Sequence, residues 1–259
     1  MPAEAAPLGA DWLRAPWHGE RVGALMTTRR GGASGPPWDS LNIGDRVGDA
    51  AGAVARNRAA FARVIGATPV FLRQVHGTRV VRLTRADTLA GAAPHEGDAS
   101  LTSEPNIACC VLVADCLPLL LAAPAGAAVA AVHAGWRGLA AGVVEAALEA
   151  LCEAAGCAPP EIAAWLGAAI GPGRFEVGAD VLDAFGSGGA ARFATAPPVT
   201  GAPKWHADLA GLARDRLTAC GVRDLSGGER CTAADASAFF SFRRDGVTGR
   251  MAAAVWVAG

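Results

Sequence analysis

The sequence predicts a single α+β domain, on three observations. Continuous apolar runs of strand length alternate with amphipathic stretches of helix length, and turn residues separate most of them. No internal repeat and no clean linker divides the 259 residues. Apolar residues make up 52% of the chain and charged residues 18%, a composition that builds a substantial core instead of a disordered coil.

Residues 1–20, rich in Ala and Pro, read as a loose start, followed by a single catalytic domain over residues 21–259. Residues 22–28 read as a strand. The Gly- and Pro-rich stretch after it leaves Arg29 and Arg30 at a strand end. Residues 49–65 have helical spacing, with Val54, Phe61 and Ile65 on one face, Asp49 as N-cap and Gly66 as stop. Strands are expected around Gln74-Val75-His76-Gly77, within residues 69–83, and a loop over 87–97. The apolar stretch 107–132 is interrupted by Asp115, Pro118 and Pro124, so it reads as two buried strands, 107–114 and 127–133, and not as a membrane span. Gly135-Trp136-Arg137-Gly138 then leads into a long helix, 139–155. A strand at 162–170, a short helix at 178–185 and a mobile loop at 186–203 follow. Residues 207–220 form a helix with Leu209, Leu212, Ala213 and Leu217 inward. Residues 239–244 and 251–257 are expected to pair as a hairpin about Asp245-Gly246.

A net charge of −1 gives no basic field for nucleic acid or an anionic membrane. The start carries Glu4 and Asp11 where a secretory signal would be basic and then apolar. Seven cysteines without framework spacing fit reduced thiols. A cytoplasmic location is expected, with a monomer as the default.

Chemistry concentrates in few residues. Of five histidines, His18, His95 and His206 lie in the loose start, a polar loop and a helix start, where solvation or capping accounts for them. His76 and His133 each end an apolar run beside a glycine, and Cys116 follows Val113-Ala114-Asp115 in the same way. A sheet can gather such strand ends on one edge. Thiolate and imidazole are the usual ligands of zinc, and three protein ligands leave a fourth position for water or substrate. One zinc ion on His76, Cys116 and His133 is therefore expected. Copper is an adventitious substitute, because it outcompetes zinc at most nitrogen and sulfur sites. Asp115 is placed nearby as an outer partner or proton acceptor. Other arrangements fit the same spacing. Cys116 can be core with His76 merely hydrogen-bonded, or a nucleophile with His133 as its base. The zinc can also be structural, closed by Asp98 or Asp115 in an interaction module.

The Gly135-Trp136-Arg137-Gly138 turn places Arg137 and free backbone N–H groups at a helix start, where phosphate or carboxylate is attracted. The Gly-Lys-Ser/Thr ending of a P-loop is missing. Arg29 and Arg243 border glycine-containing turns, where an anionic or nucleoside substrate can use them; Arg30, Arg58 and Arg244 are further guanidinium groups. Phe239, Phe240 and Phe242 can stack on a base or belong to the core.

Arg73-Gln74-Val75-His76-Gly77, Ala114-Asp115-Cys116-Leu117-Pro118 and His133-Ala134-Gly135-Trp136-Arg137-Gly138 occur in this order. With them stand Thr27-Thr28-Arg29, Ser40-Leu41-Asn42 and Phe239-Phe240-Ser241-Phe242-Arg243-Arg244-Asp245. Together, over residues 23–256, they resemble the zinc-dependent purine nucleoside phosphorylase family, formerly called multicopper polyphenol oxidases or laccase-domain proteins. The resemblance implies a four-layer α/β/β/α fold with mixed sheets and zinc on His76, Cys116 and His133. It implies phosphorolysis of adenosine, inosine and methylthioadenosine, and deamination of adenosine, with purine nucleoside and phosphate as small-molecule partners. Some members are described instead as peptidoglycan editing factors acting on nucleotide-linked cell-wall precursors. The candidate substrate contacts are Arg29, Asn42, Gln74, Asp115, Arg137 and Arg243. The chain departs from the family at Gly173-Arg174 and at Ala233-Ala234, where members often carry cysteines, which bears on the pocket wall and not on the three ligands. Five histidines without a His-x-His pair cannot fill a multicopper centre. The His-x-Glu and Pro-Cys-x-x-Cys motifs of the zinc base deaminases are missing as well.

Overall fold

Two sheets stacked face to face organise the molecule. The computed structural model describes residues 8–17, 21–196 and 202–259. The first six strands are β1 (Leu13–Arg14), β2 (Val22–Met26), β3 (Thr68–Phe71), β4 (Val80–Arg82), β5 (Ala99–Thr102) and β6 (Ile107–Val113). After them come β7 (Leu117–Ala122), β8 (Val129–Ala134), β9 (Ala163–Leu166) and β10 (Glu176–Val177). The last are β11 (Phe193–Thr195), β12 (Trp205–Ala207), β13 (Asp224–Gly227) and β14 (Met251–Val257). The helices are α1 (Ala51–Ile65), α2 (Trp136–Ala141), α3 (Val143–Ala155), α4 (Ala179–Gly189), α5 (Leu209–Ala219) and the short α6 (Phe242–Asp245).

The first sheet has the order β1-β2-β14-β6-β3 and the second β13-β9-β7-β8-β5-β4. Both are mixed, since β3 runs parallel to β6, β13 to β9 and β4 to β5, while the other pairs are antiparallel. A small sheet, β10-β12-β11, stands apart. The period-two alternation of a strand sorts the side chains. On β6, Cys109, Val111 and Val113 point into the layer between the sheets, while Ala108 and Cys110 lie under α1 with Phe61 and Ile65. On β7, Leu120 enters the layer between the sheets, and Leu119 and Leu121 meet the helices α3 and α5. Both faces of each sheet are covered, which is why these strands read as unbroken apolar runs. The result is the four-layer α/β/β/α arrangement.

Several elements differ from the sequence expectation. The stretch 107–132 holds three strands, because β7 follows directly after the Asp115-Cys116 turn. Pro118 is tolerated inside β7: its partner in register, His133, sends its own N–H to Asp98 O at 2.7 Å. The expected long helix is divided into α2 and α3 at Gly142, whose φ of 99° no helix accommodates. Asp49 does not cap α1. That position belongs to Ala50, while the Asp49 carboxylate accepts from Ser34 Oγ at 2.6 Å and Asn42 Nδ2 at 2.9 Å. No C-terminal hairpin forms. Phe239 and Phe240 are buried core residues, Ser241 caps α6, and β14 pairs with β2 and β6.

Residues 1–7 and 18–20 of the expected loose start lie outside the described residues; between them, Trp12 is buried and β1 pairs with β2. The expected loop over 186–203 contains the end of α4 and β11, and 197–201 lie outside the described residues. All seven cysteines are free thiols. Among the described residues, no helix is long and apolar enough to cross a membrane.

Candidate metal centre and the adjoining cavity

Two of the three predicted ligands lie where the chain crosses from one sheet to the other. His76 is in the crossing from β3 to β4, and Cys116 in the crossing from β6 to β7. His133 is on β8, in the second sheet. Gln74 fixes the first crossing: Nε2 donates to Leu112 O at 2.9 Å, and Oε1 accepts from Leu112 N at 2.8 Å. The side chain thereby extends the hydrogen-bond ladder of β6. Beyond it, the N–H groups of Val75, His76 and Gly77 donate to the Asp98 carboxylate at 3.2, 2.9 and 2.7 Å. His76 has a φ of 62°, in the left-handed region that non-glycine residues avoid; these three hydrogen bonds hold it there.

The ligand atoms of His76, Cys116 and His133 all lie within 4.8 Å of one another. Cys116 Sγ is 3.7 Å from His76 Nε2, and the two imidazole rings meet edge to face with centroids 4.8 Å apart. His133 Nδ1 lies 2.8 Å from Asp98 Oδ1, which commits that nitrogen outward and leaves Nε2 for the cluster. With two carboxylate oxygens serving three backbone N–H groups and one imidazole, Asp98 orients the centre and does not act as a fourth ligand. A Cβ on Gly135 would stand 2.7 Å from His76 Cδ2 and 3.0 Å from Cys116 Sγ. One on Gly138 would stand 2.9 Å from Gly77 O. The glycines of the Gly-Trp-Arg-Gly stretch therefore make room for the centre itself. One thiolate and two imidazoles at this spacing, one of them braced by a carboxylate, fit zinc with a position to spare.

The charges reinforce one another. Burial works against the Cys116 thiolate, but the charge and hydrogen bonds of His133 and His76 outweigh it and bring the thiol down to about 6. Burial also works against protonated His133, yet Cys116 and Asp98 push it up to about 9. Asp98 is held below the usual carboxylate range: the hydrogen bonds from His133 and the Gly77 N–H overcome its burial. Both shifts favour a thiolate–imidazolium pair when no metal ion is bound.

A cavity of about 680 Å³ opens on the centre. Its wall includes all three ligands, Gln74, Phe242 and Arg250, and it extends to Arg58 and His95. Of the six predicted substrate contacts, Gln74 lines it and the other five do not. Arg29 is committed to Asp39 O at 2.8 Å and stacks on Phe240. Asn42 is fully buried, its Oδ1 accepting from the backbone of Gly44 and Arg250 at 2.9 Å each. Asp115 accepts from Thr232 Oγ1 and from the N–H of Arg243, both at 2.6 Å. Arg243 donates to Glu176 O at 2.9 Å, and Arg137 is exposed on α2 over Trp136. Of the three phenylalanines, Phe242 alone reaches the cavity wall, 59% exposed. Sequence reasoning missed Arg250; the available signal was a lone cation directly before the apolar run of β14.

Fold and site together define a class: a stacked-sheet α+β protein with a His/Cys/His cluster suited to a metal ion at the junction of its sheets. The chain belongs to the family described as multi-copper polyphenol oxidoreductase laccase, whose model matches residues 23–258. Purine nucleoside phosphorylase YfiH of Shigella flexneri is 45% identical over 238 residues, 91% of this chain and 94% of that protein. A purine nucleoside phosphorylase of Pseudomonas aeruginosa is 43% identical, covering 95% of this chain and 98% of its own. Among solved structures, a Neisseria meningitidis protein superposes with a TM-score of 0.86 at 43% identity, over 96% of this chain and 99% of that one. YlmD from Geobacillus stearothermophilus gives 0.85 at 32% identity, over 98% of each chain. Among the described residues, one three-residue cluster suited to a metal is present, consistent with a single centre despite the family's multi-copper description.

Proposed function

We propose that this chain is a purine nucleoside phosphorylase, with zinc held by His76, Cys116 and His133, and that the same site deaminates adenosine. The observation that carries the reading is adjacency: a cavity large enough for a nucleoside and a second small molecule opens directly on the three ligands. The names of the relatives supply the substrate class.

In phosphorolysis, an oxygen of inorganic phosphate bonds to ribose C1′ as the C1′–N9 bond breaks. The purine leaves with the bonding electrons and takes up a proton, giving free base and ribose-1-phosphate. In deamination, a water oxygen bonds to purine C6 and the amino group departs as ammonia. Bound by the three ligands, zinc would supply Lewis acidity. The protein's part is positioning. Phe242 offers an exposed aromatic face to the base. Gln74, already fixed to Leu112, keeps one N–H and one lone pair for the cavity. Asp98 holds His133 and the His76 backbone in place. Residues 21–259 act as one catalytic domain on small molecules in the cytoplasm. Copper in place of zinc would be expected to give at most a weak oxidase activity.

The test is a product assay on protein of measured metal content, incubated with adenosine with and without phosphate. Adenine and ribose-1-phosphate are expected only with phosphate, and inosine in either case. Cys116→Ala is expected to abolish both reactions together with zinc binding. Absence of both products from zinc-loaded protein would overturn the reading, and hydrolysis of a nucleotide-linked cell-wall precursor would then favour the editing role.

A further inference from the structure

Arg46, Arg58, Arg73 and Arg250 line the cavity beside the metal centre. Arg58 pairs with Asp45 at 3.3 Å, and Arg73 pairs with Glu96. Arg46 stands in solvent. Arg250 differs from all three. It is half-buried, and among the described residues no carboxylate pairs with it. Nη1 donates to Thr248 O at 3.0 Å and Gly249 O at 2.9 Å. The N–H groups of Nε and Nη2 have no protein acceptor among the described residues.

The stem is fixed, and the head, held through Nη1 and lying 6.0 Å from the centroid of the Phe242 ring, keeps Nε and Nη2 open. The Arg250 N–H donates to Asn42 Oδ1 at 2.9 Å, and the Ile43 N–H to Arg250 O at 3.0 Å. Gly44 lies against the stem so closely that a Cβ there would be 2.8 Å from Arg250 Cγ. Asn42, fully buried, binds both residues and so sets the direction of the guanidinium. Burial lowers the Arg250 pKa, the mark of a cation that the protein around it compensates poorly. The nearby negative groups that act on it are Cys116 and Asp115, and Cys116 is spoken for by the metal centre. A partly desolvated guanidinium without a counter-ion is unfavourable until an anion reaches it. Its planar fork of N–H groups matches two oxygens of a tetrahedral oxyanion.

We infer that Arg250 is the anion-binding residue of this cavity, its Nε and Nη2 donating to two oxygens of inorganic phosphate on the wall shared with the metal centre. It takes the place that the sequence suggested for Arg137, which is exposed and outside the wall. That the anion is the phosphate of phosphorolysis rests on the phosphorylase reading; the anion site itself does not.

The experiment is calorimetric titration of zinc-loaded protein with inorganic phosphate, for the native chain, Arg250→Met and Arg250→Lys, each checked for zinc content and melting behaviour. The native chain is expected to bind phosphate. Arg250→Met is expected to weaken it about 10- to 100-fold, the equivalent of losing charge-assisted hydrogen bonds. In turnover, the KM for phosphate should rise while the KM for the nucleoside stays within about twofold, a split that a general loss of structure does not give. Should Arg250→Met fail to fold, Arg250→Lys carries the test: it keeps the charge, loses the fork, and should still weaken phosphate several-fold. Phosphate affinity within about twofold of native in a folded variant, or no phosphate binding by the native chain, would overturn the proposal. Arg250-dependent phosphate binding without any ribose-1-phosphate from a nucleoside would uphold the anion site and remove the phosphorylase reading.

Discussion

Asp98 receives the N–H groups of Val75, His76 and Gly77 and the Nδ1 edge of His133 on its two oxygens, with no exposure to water. Removing it strands three donors and frees an imidazole. Asp98→Ala is expected to cost about 3 kcal/mol in chemical denaturation and to weaken zinc about 10- to 100-fold in a competitive chelator titration. Its lowered folded-state pKa means that its stabilisation is full above the carboxyl's unfolded value and is lost as pH falls through the folded one. The thiolate and imidazolium of metal-free protein bound a second window. Cys116, depressed to about 6, loses its contribution as pH falls through that value. His133, raised to about 9, loses its own as pH rises through that value. The pair should persist between them, and the ultraviolet thiolate absorbance of metal-free protein should titrate near 6; a midpoint at the ordinary thiol value would refute the pairing. At this scale the clustering of His76, Cys116 and His133 was legible, since their donor chemistry and neighbouring glycines are local. Asp98 was read only as a possible closing ligand and Arg250 not at all, because what singles them out is the set of groups around them, supplied by residues distant in the chain.

Among the elements, the turn after β8 is tested by its glycines. Gly135→Ala would press a methyl onto His76 and Cys116. The expected outcome is a folded protein, destabilised by about 1–3 kcal/mol, with zinc content falling well below one ion per chain in elemental analysis. Gly142→Ala is the contrast. The left-handed φ between α2 and α3 costs an alanine about 1–2 kcal/mol, lowering the melting temperature with zinc content unchanged. Apolar runs gave the existence of β6 and β8 because burial on both faces leaves a continuous signature, and the helical spacing of Leu209, Leu212, Ala213 and Leu217 gave α5. Boundaries inside such runs were less visible. β7 merges with its neighbours in composition, and the break at Gly142 depends on one residue inside an otherwise helical pattern.

For the molecule as a whole, the layer between the sheets couples the fold to the site. Leu120 is fully buried there, on the strand that begins directly after Cys116. Leu120→Ala is expected to cost about 2–5 kcal/mol in urea unfolding, with a single cooperative transition retained. The layers follow from which faces are apolar, but strand order does not. β14 enters the first sheet between β2 and β6, pairing Val257 with Val22 across almost the whole chain, and no local pattern encodes that partner.

The two sheet-to-sheet crossings that carry His76 and Cys116 have a mechanical consequence. An ion held by them and by His133 would act as a rivet through the sandwich, tying the exits of two strands of one sheet to a strand of the other. Because the unfolded chain does not bring these three groups together, bound zinc would raise stability by mass action, about 2.7 kcal/mol at a hundredfold excess over its dissociation constant. Melting temperature measured against free zinc thus becomes a gauge of metal affinity that needs no substrate, and the native chain and Asp98→Ala should separate along it.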